Sequence, residues 1–522
     1  MGIFYLSFQR APPLSVRPNE LLKVCLNLTN DLRSDSYFPP EAAVRLRLVW
    51  AVVLPSASGG GRRVQLLKNA PRAEMLWSDP ASAFKVVEGL HAPPARALPR
   101  PSASASASEE EIFLAVFADV PSQAQSNASL GRPPSSKRRK KEERDGQGAA
   151  GGLGQVVEAV AEVEEDRLVW PVGQQDADGD ADHFVPVLSG PIRFLRDEGK
   201  NNEGTGGGGK QNALLRLFRL PSSSPGAGPV DVLIQEETGF ELDKHVWDAA
   251  THLLRLLTAP SHADRLTPSM QLLNRIAEAH REKRTFKIVE LGAGTAIASI
   301  ALAKWLQAEL PAAQEADGAP AEPARVHFYL TDLEPALALM RSNLAWNHLT
   351  EASFLPPSSE PAQLPTSASS QAEPDTDSGP FTAGPAHRIT LEPLVLNWIE
   401  PHLPEPLEPL STRPDLILIS DCTYNPTFYP ALLSTIRTLA LDHPTRIRSK
   451  SESSGRKEGV CVLAKKHRHE DEMELWHYMR DHGLRFQLVD GETHYEDEEG
   501  RGRGAESGVG LEQWGIWEVQ CK

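Results

Sequence analysis

From about residue 240 to residue 522, segments typical of strands alternate with segments typical of helices. FKIVELGAGTAIASIALAKWL has an apolar strand pattern, a tight turn and an apolar helix pattern, and VHFYLTDLEPALALMRSNLAWN repeats that order. Such alternation favours a parallel sheet with helices on both faces, because parallel neighbours need a crossover connection. The last two strand-like segments, LRFQLVD and EQWGIWEVQ, have no helix pattern between them. We therefore expect them to pair antiparallel.

Four helices are predicted from the local sequence. HVWDAATHLLRLL predicts an amphipathic helix with one apolar face, which consists of Trp247, Ala250, Leu254 and Leu257. A second helix is predicted at about residues 428–440, and a third in EDEMELWHYMRDHG, ending at Gly483. Pro335 suits the first turn of the helix that follows LTD.

The chain before this region has a different texture. Residues 1–120 contain short apolar runs rich in β-branched and aromatic residues, which predict a β-rich N-terminal region. Residues 121–165 are of low complexity and predict a disordered linker. Residues 166–229 continue the β-rich pattern with a Gly-rich linker, and residues 230–522 form the α/β domain. Within that domain, the Pro- and Ser-rich residues 351–386 predict a disordered insertion.

Composition limits the class of protein. A net charge of −16 over 522 residues argues against general nucleic-acid binding. The four cysteines form no CxxC pair, which fits a reducing compartment and predicts no metal site. No apolar run near the start is long enough to cross a bilayer, and we expect a soluble, cytoplasmic protein without a secretory signal. The basic run at residues 137–141 is either a nuclear import signal or a solvated charge run.

The turn VELGAGTA follows a strand and precedes a helix. Gly292 and Gly294 permit a tight turn and a close approach of a ligand to the backbone. Glu290 precedes the first glycine, and a carboxylate at the end of the strand can accept hydrogen bonds or pair with a cationic ligand, which suits an amino-acid group better than a phosphate. The alternative is a glycine turn with only a structural role.

The next strand ends in LTD. Asp332 lies at the carboxyl end of that strand, where open α/β sheets bind ligands, and a carboxylate can accept both hydroxyls of a ribose. The alternative is that Asp332 caps the helix that contains Pro335.

Five segments together carry a family resemblance: HVWDAA, VELGAGTA, LTDLEPALALMRSNLAWN, LVLNW and SDCTYNP. Their order resembles that of class I, seven-β-strand, S-adenosylmethionine (SAM)-dependent methyltransferases. It is most similar to lysine methyltransferase family 16, whose members mostly modify lysines in other proteins. The resemblance covers about residues 230–522 and implies a doubly wound, Rossmann-like, seven-stranded and mostly parallel sheet with an antiparallel last strand. Residues 1–229 match no motif that we can assign.

The resemblance also assigns roles to single positions. The cofactor contacts that it implies, together with Glu290, are Trp247, Gly292, Ala293, Gly294, Asp332, Trp398 and Ser420. Among these, Asp332 corresponds to the ribose-binding acid and Trp398 to the tryptophan of the adenine pocket. Two positions depart from the family pattern. Ala296 replaces the last glycine of the turn, which narrows it, and Asn397 replaces an acid, which weakens recognition of the adenine amine.

Asp421 and Tyr424 correspond to the ends of the family's D-x-x-Y motif. Methyl transfer to an amine requires its neutral form, yet a free lysine with a pKa of ~10.4 is neutral in only about one molecule in a few thousand at pH 7. The site must therefore lower that pKa and align the nitrogen. We assign Asp421 and Tyr424 to positioning the amine, and interpret Cys422 as a packing residue that points away. The alternative is that Asp421 caps a helix and Tyr424 lies at the edge of the core.

Three functions remain open from the sequence. The first is a SAM-dependent protein-lysine N-methyltransferase with a protein substrate. The second is a SAM methyltransferase that acts on a small-molecule or N-terminal amine. The third is a non-catalytic scaffold that binds a partner. The sequence predicts no membrane partner and leaves the oligomeric state open.

Overall fold

The computed structural model describes part of the chain, which divides into two compact units. The first unit comprises Met1–Pro55, Arg63–Trp170 and Asp178–Leu217, and the second comprises Phe218–Lys522 with Ser56–Arg62 and Pro171–Ala177. The described residues are 3–30, 37, 43–55, 62–77, 84–98, 111–119, 168–172, 183–194, 211–222, 228–239, 241–259, 267–310, 324–351, 381–383, 388–408, 413–440, 460–491 and 514–521.

Strands dominate the described residues before position 220. Strands β1 to β13 are Ile3–Arg10, Ser15–Val16, Leu21–Thr29, Val44–Pro55, Arg62–Leu66, Ala73–Trp77, Lys85–His91, Glu111–Asp119, Val169–Pro171, His183–Val185, Val187–Ser189, Ile192–Phe194 and Ala213–Leu220. The β-rich N-terminal region predicted from the sequence is therefore confirmed. The short strands β2, β5, β6 and β7 were not predicted, because their apolar runs are too brief or too interrupted by charges.

The first unit buries its apolar residues between two sheets. One sheet has the order β10-β1-β3-β7, and in the other β8 pairs with β4, β11 and β12. Two tryptophans lie in the core with their indole N–H groups satisfied. Trp50 donates to the carbonyl of His91 at 3.0 Å, and Trp77 donates to that of Tyr37 at 2.9 Å. These bonds allow large amphipathic rings to be buried without loss of a hydrogen bond.

The second unit alternates strands and helices as predicted. Strands β14 to β23 are Val230–Glu237, Phe286–Leu291, Arg325–Asp332, Thr350–Glu351, Phe381–Ala383, Arg388–Val395, Leu416–Ser420, Val460–Lys466, Leu484–Gly491 and Trp514–Cys521. Helices α1 to α6 are Asp248–Thr258, Pro268–Arg281, Ile297–Glu309, Glu334–Trp346, Tyr429–Ala440 and Glu474–Asp481. None of the helices in the described residues is long and apolar enough to cross a membrane.

The central sheet of the second unit has the strand order β17-β18-β19-β16-β15-β20-β21-β23-β22. Neighbours from β19 to β21 pair parallel, whereas β23 is antiparallel to both β21 and β22. The doubly wound, mostly parallel sheet and its antiparallel last strand are confirmed. In chain order the last strand is inserted between the two before it, which the sequence did not predict.

The sheet has nine strands in the described residues, not the seven expected. The two additional strands, β17 and β18, pair antiparallel with each other, and β18 pairs with β19 at the edge. They include Glu351 and Phe381–Ala383, which fall inside the predicted insertion 351–386. Pairing there satisfies backbone groups that an edge strand otherwise leaves open. Residues 352–380 and 384–386, and the predicted linker 121–165, lie outside the described residues.

Helix α1 begins one residue later than its apolar pattern suggested. Trp247 is the residue before the helix, with extended backbone angles, and not a member of its apolar face. Nearly every side chain of α1 is buried, including those of Asp248 and His252. The helix packs against α3, β21 and β23. Because the backbone at Trp247 is extended, this residue belongs to the loop before α1 and not to the helix. The candidate site lies at this loop.

Helix α2 and strand β14 of the second unit are each stabilised by identifiable side-chain hydrogen bonds. Helix α2 was not predicted, although its sequence has a recognisable start signal. The side chain of Thr267 caps the helix by accepting a hydrogen bond from the backbone N–H of Met270, and Pro268 occupies the first turn. Strand β14 is held by Asn343 of α4 and by Asn347, the residue that follows this helix. The side-chain oxygens of Asn347 and Asn343 accept hydrogen bonds from the backbone of β14 at 3.0 and 2.6 Å.

Candidate functional site

The glycine turn after β15 has a backbone that favours glycine. Gly292 and Gly294 have φ values of +67° and +53°, in the left-handed region. A Cβ at Gly292 would lie 2.6 Å from the Cβ of Cys422, and one at Gly294 would lie 3.2 Å from the carbonyl oxygen of Asp243. The turn therefore packs against the loop of Cys422 at Gly292 and against the loop of Asp243 at Gly294.

Ala296 also has a left-handed backbone, with φ of +59°, at the residue before α3. Its side chain is fully buried. A left-handed conformation at a residue with a Cβ costs roughly 1–2 kcal/mol. The replacement of the family's last glycine by alanine thus keeps the turn, with backbone strain as the consequence.

Asp332, at the end of β16, holds this turn closed. One carboxylate oxygen accepts a hydrogen bond from the backbone N–H of Gly294 at 2.8 Å, and the other from that of Leu333 at 2.7 Å. Burial raises the pKa of Asp332, while these two hydrogen bonds favour the charged form. The side chain lines the cavity described below, so it is placed to accept ligand hydroxyls with its remaining lone pairs.

Glu290 is fully buried in β15, with Leu330 and Leu418 on the neighbouring strands. Its Oε2 accepts a hydrogen bond from the backbone N–H of Ser299 at 3.2 Å, whereas Oε1 has no hydrogen-bond partner among the described residues. Burial raises the pKa of Glu290 to about 7. Of the predicted cofactor residues, Glu290 alone lies behind the cavity wall, outside the lining.

The loop after β19 brings Trp398 to the opposite side of the glycine turn. The backbone N–H of Leu396 donates to the carbonyl of Asp332 at 2.9 Å, which ties this loop to the end of β16. Trp398 Cζ2 lies 3.5 Å from the Cβ position of Gly292. Asn397, the second departure from the family pattern, uses its side-chain oxygen to accept from the backbone N–H of Ile399 at 3.2 Å. It therefore orders the loop.

Asp421, directly after β20, has a strained backbone and a buried side chain. Its φ is +58°, which asparagine and aspartate tolerate better than most residues. Its backbone N–H donates to the carbonyl of Ala464 at 2.9 Å, and Oδ1 accepts from the backbone N–H of Lys466 at 3.2 Å. No helix begins at Asp421, so the alternative of a helix cap does not apply.

Arg468 is a residue of this site that sequence reasoning missed. Its guanidinium donates to both carboxylate oxygens of Asp421, at 2.8 Å from Nη1 to Oδ1 and through Nη2 to Oδ2. The same group lies over the ring of Trp247, 5.1 Å from its centroid. The segment KKHRHEDE attracts attention for its histidines, and the described residues contain no cluster of three or more metal-ligating side chains.

Two further buried ion pairs surround Asp421. Lys465 donates to the carboxylate of Glu472 and, at 2.9 Å, to the carbonyl of Thr423. Lys466 donates to Asp248 at 2.7 Å. Both lysines therefore have their own acidic partners at the end of β21.

Tyr424 lies at the mouth of the site. Its side chain is 49% exposed, so the alternative of a core-edge residue is not what the structure has. Burial of part of the ring, with nearby acidic groups, raises the pKa of Tyr424 and keeps the phenol protonated. Cys422 does not point away, as the sequence suggested. It lines the cavity and packs against Gly292, because the positive φ at Asp421 redirects the chain.

These loops enclose one cavity in the second unit, with about 950 Å³ of empty space including its open mouth. The predicted site residues in its lining are Trp247, Gly292, Ala293, Gly294, Asp332, Trp398, Ser420, Asp421 and Tyr424. They come from the carboxyl ends of four strands and the loop before α1.

The cavity fits the cofactor that the family resemblance implies. Trp398 and Asp332 line one part, suited to an adenine ring and a ribose. Glu290, two residues before the glycine turn, has a carboxylate oxygen without a partner in the described residues and suits a cationic amino group nearby. Asp421 and Tyr424 also line the cavity.

Comparisons with known proteins agree with this geometry. Residues 229–355 and 383–480 match the family model described as lysine methyltransferase. A search of curated proteins found no match.

Solved methyltransferases also resemble the chain, at low scores. Precorrin-6y C5,15-methyltransferase from Geobacter metallireducens GS-15 is 15% identical over 50% of this chain and 93% of that chain, with a TM-score of 0.21. An O-methyltransferase family protein from Burkholderia thailandensis is 9% identical over 52% of this chain and 59% of that chain, with a TM-score of 0.24. At such scores these similarities carry no conclusion about the substrate.

Proposed function

We propose that the chain is a SAM-dependent member of the lysine methyltransferase family, whose model matches residues 229–355 and 383–480, and that its substrate is a lysine side chain of another protein. The observation that carries this proposal is the position of Asp421 and Tyr424. Both line the cavity that the glycine turn lines, Asp421 with a buried side chain and Tyr424 with a half-exposed one.

SAM, when bound, supplies an electrophilic methyl group on a positive sulfonium. The backbone at Gly292 and Gly294 gives it close contact, and Asp332 accepts the ribose hydroxyls. Trp398 provides an apolar face for the adenine. The buried carboxylate of Glu290, outside the lining, would favour a cationic amino-acid end through its charge.

The residues on the amine side have separate tasks. Tyr424 offers a hydroxyl group that can hydrogen-bond the amine and a ring face that attracts a cation. Asp421 has lone pairs beyond those used by Arg468 and can orient the nitrogen. Removal of water from the amine lowers its pKa and increases the neutral fraction that can attack the methyl group.

The open mouth favours a macromolecular substrate over a small one. An enclosed site would bury most of a small molecule, whereas the half-exposed Tyr424 can meet a side chain that projects from a protein surface. A lysine has a long, flexible stem that suits this approach.

Labelling of a cell lysate with tritiated SAM and the purified protein tests the proposal. A labelled protein band that yields methyllysine on hydrolysis would support it. Label confined to small molecules, or to protein N-termini, would replace it with the other amine substrates. No label, with SAM binding retained in calorimetry, would favour a non-catalytic scaffold.

We also propose a cytoplasmic location, with nuclear import through residues 137–141 as the alternative. That basic run lies outside the described residues and is known here from the sequence alone. Microscopy of the full chain, with and without neutral substitutions of the run, separates the two. A nuclear signal that disappears on substitution would establish import.

A further inference from the structure

We infer that Arg468 is a positioning residue of the methyl-transfer site, which holds Asp421 in place and joins its loop to Trp247 on the cofactor side. The part of this inference that concerns turnover rests on the proposed function. The part that concerns Trp247 requires only that SAM bind.

The first argument is the geometry of the ion pair. Arg468 and Asp421 form a two-pronged contact, and their side chains are only 9% and 2% exposed. A planar guanidinium matches both oxygens of a carboxylate at once, which fixes direction as well as distance. Lysine has one point-like charge and cannot reproduce this match.

The second argument is the strained backbone at Asp421. A residue with φ of +58° keeps that conformation only when its surroundings hold it there. The backbone N–H of Asp421 is bound to Ala464 and its side chain to Arg468, both from β21 or the loop after it. The backbone N–H of Lys466 is the third partner, so loss of Arg468 removes the one charged restraint of three on the start of the D-x-x-Y segment.

The third argument is the contact with Trp247. The guanidinium that binds Asp421 also lies over the indole ring, and that indole N–H donates to the carbonyl of Leu242 at 2.9 Å. One rigid side chain thus contacts a predicted catalytic residue and a predicted cofactor residue. A shift of Arg468 would disturb both of these contacts in the cavity lining.

The fourth argument is charge. Asp421 without a counter-charge would hold an incoming lysine as an ammonium ion, which cannot attack a methyl group. Lys465 and Lys466 are engaged by Glu472 and Asp248, so the cation that binds the carboxylate of Asp421 directly is Arg468. Arg468 therefore leaves Asp421 able to orient the amine without stabilising its protonated form.

The chain offers a matched control for these contacts. Arg255 pairs with Asp490 at 2.9 Å and lies over the ring of Trp514, 4.9 Å from its centroid. This is the same combination of ion pair and ring contact, and none of its three residues lines the cavity. Arg255→Met therefore measures what such a cluster contributes to stability alone.

The experiment compares Arg468→Met, Arg468→Lys and Arg255→Met in the full chain. Turnover is measured on the protein that lysate labelling identifies, SAM affinity by calorimetry, and folding by thermal midpoint. Arg468→Met is expected to lower kcat at least about tenfold and to weaken SAM binding several-fold through Trp247. Arg468→Lys should recover only part of both, and Arg255→Met should lower the thermal midpoint alone.

A folded Arg468→Met protein with the kcat and SAM affinity of Arg255→Met would overturn the inference. If Arg468→Met does not fold, the double variant Arg468→Met/Asp421→Asn removes the unpaired buried charge, and its SAM affinity is compared with that of Asp421→Asn alone. In that background a further Trp247→Phe substitution should change SAM affinity less than it does alone, and an equal change would also overturn it. Were the enzyme inactive on every protein lysine, the turnover part would fall with the proposed function, while the SAM measurement would still decide the Trp247 contact.

Discussion

The Asp332 carboxylate accepts a hydrogen bond from the backbone N–H of Gly294 at 2.8 Å. The end of one central strand is thereby tied to the glycine turn after its neighbour. Asp332 therefore has two roles, because the carboxylate that a ligand would contact also sets the shape of the turn. Cofactor binding and turn geometry should therefore change together when Asp332 is altered.

Asp332→Ala should weaken SAM binding about tenfold or more, because a hydrogen bond to a charged group contributes about 1.5–3 kcal/mol. Asp332→Asn keeps one acceptor oxygen and should lose less. Isothermal calorimetry on the folded variants provides the measurement. Unchanged affinity in Asp332→Ala would remove this residue from the binding site.

Glu290 should make SAM binding depend on pH. Burial raises its pKa to about 7 from the ordinary value of 4.5, so between these pH values the folded protein keeps a proton that the unfolded chain loses. This group therefore contributes less stability as pH rises between these two values, and its contribution is constant above about 7. A cationic ligand group favours the ionised carboxylate, so SAM affinity should increase with pH up to about 7 and then level off.

The Glu290 mechanism also predicts proton release on SAM binding at about pH 6. Calorimetry in two buffers with different ionisation enthalpies detects it, and Glu290→Gln should abolish both the release and the pH dependence. Identical binding enthalpies in the two buffers would contradict the assignment of Glu290 to the amino-acid end.

Asp421 should affect turnover much more than cofactor affinity. Asp421→Asn tolerates the left-handed backbone and keeps an acceptor for Arg468, so the fold should persist while kcat falls about tenfold. Asp421→Ala adds backbone strain of about 1 kcal/mol and should lower kcat about a hundredfold or more. Steady-state kinetics with calorimetric SAM affinities make the comparison. A fully active Asp421→Ala enzyme would refute the positioning role.

Substitutions of Tyr424 distinguish a role of its hydroxyl group from a role of its ring. If the hydroxyl group orients the amine, Tyr424→Phe should be nearly as damaging as Tyr424→Ala. If the ring face attracts the cationic substrate, Phe should be tolerated and Ala should raise KM. Because Tyr424 is half exposed, neither variant should alter the thermal midpoint by more than the scatter of surface substitutions. Wild-type kinetics in both variants would place the substrate elsewhere.

The sequence predicted the elements that have strong local signals. VELGAGTA identified the turn because glycine is needed where φ is positive, and LTD followed by Pro335 located the end of β16 and the start of α4. It did not predict α2, β17 or β18. The two short strands form only because β19 offers an exposed edge, a fact of the assembled sheet.

The candidate site also has residues that the sequence predicted and one that it did not. Nine of the ten residues assigned from the sequence line one cavity, because motifs at the ends of parallel strands must meet at one edge of a sheet. Arg468 gave no local signal, since its partner Asp421 is 47 residues away and the contact depends on the parallel register of β20 and β21. The strand order, with β23 inserted between β21 and β22, was also decided by tertiary packing. By itself the sequence determined the doubly wound class and the loops that carry the chemistry, because these depend on local hydrophobic period and turn residues. Only the tertiary structure decided which charges neutralise one another around Asp421, because such pairing depends on contacts between distant segments.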